Sequence, residues 1–162
     1  MESIGFDFEN VGGLAECYAI PVDVFKRIRV DYVRDLRVLE VSARKRVIAI
    51  PMYADDSFRH HEEKKHGDGG DYWEVDIEGV IPKWCKDVDV QLEELERGEW
   101  LVLSRDNNGV VRLSGSVHTP LWFEGERDTG AAYAERNGVT FHFTGNQARP
   151  SQTLDMEALS DL

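Results

Sequence analysis

The residue types best suited to chemistry gather between His60 and Asp71. His60, His61 and His66 stand among Glu62, Glu63, Asp68 and Asp71, and imidazole with carboxylate is a ligand set for zinc or a similar ion. No cysteine accompanies them, no periodicity puts them on one face, and the run ends in Gly67-Asp68-Gly69-Gly70. A solvated loop, or an arm that orders against a neighbour, therefore ranks ahead of a metal site. Glu93, Glu94, Glu96 and Glu99 sit together, and Asp76 and Glu78 face out from a strand. Nothing poises two of these acids across a sugar with their pKa values driven apart, as glycoside hydrolysis requires. Ser114, Ser116 and His118 supply groups for a hydrolase triad, but the Gly-x-Ser-x-Gly turn is missing. Trp73, Trp84, Trp100 and Trp122 could line a carbohydrate platform, although indoles in β-rich chains more often fill cores or interfaces. The sequence has no phosphate-binding loop, dinucleotide fingerprint or paired-cysteine zinc motif. No catalytic residue, cofactor ligand or metal ligand is assigned, and the chain reads as a non-enzyme.

The elements that must position these residues are mostly strands. Leu14 to Ile20 reads as a strand closed by Pro21, and Leu36 to Ser42 has two distinct sides when extended. Arg46 to Pro51 is a short apolar strand stopped by proline. Val22 to Asp31 fits a strand or a turn-rich helix. Trp73-Glu74-Val75-Asp76-Ile77-Glu78 alternates strictly, apolar against acidic, as a half-buried strand does. Val88, Val90 and Leu92 also alternate, although Leu92, Leu95 and the glutamates between them suit a helical turn. Trp100 to Ser104 is a strand, Asp106-Asn107-Asn108-Gly109 a hairpin turn, signalled by Asn-Gly because both residues can take positive φ, and Val110 to Val117 the return strand. Leu121 to Phe123 opens another apolar segment, Arg136-Asn137-Gly138 is a second tight turn, and Val139 to Thr144 a last alternating strand. The expected fold is mainly β: a sandwich or small barrel of seven to nine mostly antiparallel strands, with little helix and a long mobile loop at 53–71.

A chain of 162 residues suits one domain, placed at 1–150. In the tail, 151–162, Leu154, Ala158 and Leu162 fall at helical spacing, giving a frayed end or a partner-docking segment. The opening Met1-Glu2-Ser3-Ile4 has no apolar h-region, so export by a signal peptide is not expected, and no run is long enough to span a bilayer. Cys17 and Cys85 read as reduced core residues. The net charge of -12 is uneven. Residues 26–46 hold eight bases against three acids, whereas 53–99 hold fifteen acids against six bases. So acidic a chain should repel a phosphate backbone, and no nucleic-acid binding is expected. The basic stretch fits a solvated strand face, a contact for the acidic part of a neighbouring subunit, or, least well, a nucleic-acid patch.

One resemblance adds to this. Asp106, Asn107, Asn108 and Gly109 end a strand, Thr129-Gly130-Ala131-Ala132 form a small-residue segment, and Arg136, Asn137, Gly138, Val139, Phe141, Phe143, Gly145 and Pro150 follow. Over about residues 95–150 the chain resembles virion structural proteins of tailed phages and prophages, departing from them with Val139 in place of an aromatic. The resemblance implies a β-built subunit of a tail or tail-like tube, in a virion or the cytoplasm, forming rings or stacks with copies of itself and other tail-type proteins. Candidate interface residues are Arg29, Arg34, Arg37, Arg44, Lys45, Arg46, Phe58, Leu154 and Leu159. The alternative expectation is a β-sandwich recognition module for carbohydrate or peptide, using Trp73 or Trp122. A small metal enzyme built on His60, His61 and His66 ranks third.

Overall fold

A computed structural model describes residues 11–51, 58–132, 135 and 137–155. It is mainly β, with eleven strands in three antiparallel sheets and one α-helix among the described residues. The strands are β1 (Leu14–Pro21), β2 (Phe25–Asp31), β3 (Leu36–Val41), β4 (Ile48–Ala49), β5 (Arg59–Gly67), β6 (Gly70–Pro82), β7 (Trp100–Asp106), β8 (Val111–Ser114), β9 (Trp122–Asp128), β10 (Gly138–Gln147) and β11 (Gln152–Leu154); the helix α1 is Lys86–Arg97. A five-stranded sheet runs β11-β8-β7-β1-β4, a four-stranded sheet β5-β6-β10-β9, and β2 and β3 pair as a separate ribbon.

The layering follows from alternation. Cys17 and Ala19 of β1 and Trp100 and Val102 of β7 face one way, meeting Val75, Ile77, Phe141 and Phe143 of the four-stranded sheet. Ile20 of β1 and Leu101 and Leu103 of β7 face the other way and are covered by Leu39, Phe25 and Ile28 of the ribbon. The five-stranded sheet is thus the middle of three layers. That is why Trp100-Leu101-Val102-Leu103 is apolar without alternation: both faces of β7 are buried. Strands β6 and β10 do alternate, because the outer face of the four-stranded sheet is open to solvent. Helix α1 closes one end of the first core with Leu92 and Leu95. No helix among the described residues is long and apolar enough to cross a membrane.

Several expectations are corrected. The loop expected at 53–71 is, from Arg59 onward, a strand: β5 pairs with β6 along its whole length, and Asp68-Gly69 are the turn between them. Residues 52–57 lie outside the described residues. The strand was hidden because β5 is an edge strand rich in charge, tied to β6 by Lys64 to Asp71 at 2.7 Å and Arg59 to Glu78 at 2.8 Å, with Lys65 to Glu63 at 2.6 Å along β5 itself. Charged side chains on an edge also oppose pairing with stray strands. Of the two readings open for Val88 to Leu95, alternating strand and helical turn, the helix holds, with Leu92 and Leu95 on its buried face. Leu154 is not the start of a helical stripe: β11 pairs with β8, so the folded domain runs past 150 to Leu154. Residues 156–162, and with them Ala158, Leu159 and Leu162, lie outside the described residues. At the β7–β8 turn only Gly109 has positive φ, +83°. The Gly109 amide donates to the Asp106 carbonyl at 3.0 Å, and the Asp106 side chain accepts from Asn108 and Val110. This is a type I turn followed by a left-handed glycine, not the turn with two positive φ values.

Candidate functional site

The three histidines do not converge. Alternation along β5 turns His60 inward and His61 outward, and His66 lies at the far end of the strand, paired with Asp71 at 2.6 Å. His60 instead enters a seam between the sheets. One ring nitrogen, Nδ1, lies 3.2 Å from the hydroxyl of fully buried Ser104, and Nε2 lies 2.8 Å from Glu62. Glu62 also accepts from the Ser151 amide at 3.2 Å, and the Ser151 hydroxyl meets that of Ser114 at 2.7 Å. A serine, a histidine and a carboxylate thus stand in hydrogen-bonded order. Ser104 is sealed from solvent, and the chain of polar groups pins the β5 edge of one sheet to the other. Burial alone would raise the Glu62 carboxyl. Hydrogen bonds from His60 and from the Ser151 hydroxyl and amide outweigh it and hold the group below its ordinary value. Ser116 and His118 form a local turn in which the Ser116 hydroxyl accepts amides of His118 and Thr119. They do not join Ser114.

The tryptophans form no platform. Trp100 is core, Trp73 and Trp84 are half-buried, and Trp122 alone is exposed, at 50 %. Cys17 is buried among apolar residues, its thiol pushed up to about 12 by burial, whereas Cys85 precedes α1 and is half-buried instead of in the core.

Two surfaces on opposite sides of the layers remain. One is the β2–β3 ribbon. Its tip is Tyr32-Val33-Arg34-Asp35, where the Asp31 carboxylate accepts the Val33 amide at 3.0 Å and the Arg34 amide at 3.3 Å, and Asp35 takes φ +54°. The tip is therefore built, yet Tyr32 is 90 % and Val33 95 % exposed. Arg29, Arg34 and Arg37 lie exposed around it. Arg27 pairs with Glu40 at 2.7 Å and Arg46 with Asp23, while Arg44 and Lys45 lie on the exposed 3₁₀ turn Arg44–Arg46. The opposite surface is the outer face of the four-stranded sheet, where Glu63, Glu74, Asp76, Glu78, Glu124, Glu126 and Asp128 project between Arg59, Lys65 and His142. A groove of about 560 Å³ also runs between ribbon and middle sheet, floored by Phe25, Ile28, Leu101 and Leu113 and rimmed by Gln147 and Arg149.

Two candidate interface residues are not surface residues. Phe58 is 2 % exposed, packs on Phe141 at a ring-centre distance of 5.7 Å, and belongs to the first core; Leu154 is buried in the second. Each apolar side chain completes a core and has no surface to offer a neighbour.

No protein-family model, no curated protein and no solved structure matches the chain.

Proposed function

We propose that the protein is a non-enzymatic structural subunit that associates with copies of itself, of the kind used in phage-derived tails and tail-like assemblies. The observation that carries this reading is the ribbon tip. Tyr32 and Val33 are held almost fully in solvent on an ordered turn ringed by arginines, while the acidic sheet face lies on the other side of the molecule. Exposed apolar groups on a built support gain free energy when a partner covers them. Complementary charge on opposite faces favours head-to-tail contact, which closes into rings or extends as stacks. Wild-type chain followed by sedimentation velocity and electron microscopy over a concentration series is expected to form rings or higher species. A Tyr32→Ser, Val33→Ser double variant is expected to remain monomeric. A wild type that is monomeric at every concentration overturns the proposal.

The groove beside the ribbon favours a second reading, a recognition module for peptide or carbohydrate, since its size and apolar floor match those of ligand sites. Glycan and peptide arrays test it, and silence on both counts against it.

A further inference from the structure

We propose that Asp76, Glu78 and His142 bind one divalent transition-metal ion, zinc foremost, on the open face of the four-stranded sheet. One ligand atom from each lies within 4.8 Å of the other two. His142 Nδ1 is 2.9 Å from an oxygen of Asp76 and 3.8 Å from one of Glu78. Ligands held about 2.1 Å from a tetrahedral ion stand roughly 3.4 Å apart, and the two observed spacings straddle that distance. Small side-chain shifts would therefore seat an ion.

The register makes this arrangement. Asp76 and Glu78 are two apart on β6 and so share a face, and His142 of β10 is directly opposite Glu78. On the flanking strands Glu124 is opposite His142 and His61 opposite Asp76, so both positions border the three ligands. Arg59 engages one oxygen of Glu78 at 2.8 Å and leaves the other toward His142, the outer-shell support that orients metal-binding carboxylates. Surrounding Glu74 and Glu126 favour any cation. One imidazole with two carboxylates suits zinc, cobalt or nickel better than magnesium or calcium, which take oxygen ligands. Three protein ligands leave a position for water. The inference does not need the assembly reading, because a single chain holds all three ligands, although they lie on the acidic face which that reading uses.

Equilibrium dialysis of the full chain against zinc chloride, with elemental analysis, and absorption of the cobalt(II) form test it. One ion per chain is expected. His142→Ala should weaken binding at least about tenfold, as should the isosteric Asp76→Asn with Glu78→Gln, and His66→Ala should leave it unchanged. These side chains lie on the solvent side of the sheet, so circular dichroism should show the variants folded. No uptake by the wild type, or uptake undiminished in both the His142→Ala and the Asp76→Asn, Glu78→Gln variants, overturns the proposal.

Discussion

Gly79 lies on β6 beneath the ring of Phe58, where an added Cβ would sit 2.0 Å from a ring carbon. Phe58 is enclosed by the first core and cannot swing out. Gly79→Ala is therefore expected to cost about 3 kcal/mol in urea unfolding, and noticeably less in a Phe58→Leu background, because the two positions share one space. Glu62 acts differently. Its folded-state carboxyl lies below its ordinary value of 4.5, so it contributes stability above that pH, and the contribution fades as pH falls through the lower folded-state value. Glu62→Gln should flatten part of the acid limb of a stability–pH profile below about pH 4.5, while costing about 1–3 kcal/mol near neutrality from poorly satisfied buried partners. At this scale little was legible beforehand. Asp76 and Glu78 were readable as outward-facing, but His142 is 66 residues from Asp76 and only strand register joins them. The same register disperses His60, His61 and His66, which looked like a cluster in the sequence.

Among the elements, β6 and β10 could be read directly because one face is core and the other water, and alternation records that difference. β5 could not: its inward side chains His60 and Glu62 enter a polar seam, so the strand has no apolar face to display. Helix α1 was ambiguous because Val88, Val90 and Leu92 alternate over the same span in which Leu92 and Leu95 are the buried pair. The helix begins at an uncapped end. Cys85 has extended backbone at the N-cap, φ -152° and ψ 171°, with no side-chain bond to the first turn, although Asp87 and Asp89 suit the positive end of the helix dipole. A hydroxyl accepts first-turn amides better than a thiol does. Cys85→Ser should thus stabilise the protein by about 0.5–1 kcal/mol, seen as a higher melting temperature by calorimetry.

At the scale of the whole molecule, the three layers separate positive ribbon from negative sheet, a separation the charge count along the chain foreshadowed. What composition did not reveal is that the two zones would end on opposite sides, with the middle sheet between them. If contacts between copies join these faces, raising the salt concentration should weaken association measured by light scattering, because exposed charges lose reach as the screening length shrinks. Replacing Arg29, Arg34 and Arg37 together by glutamate should abolish it. Association unchanged by either treatment would show that the charges take no part in the contact.

The middle sheet also bears on how the polypeptide is made. Glu16 of β1 pairs with Arg105 of β7, 89 residues further on. At about 5–20 residues per second a ribosome needs roughly 4–18 s to add that length. Through that interval β1 lacks its partner strand, and neither core, each of which draws on β7, can set until β7 has emerged.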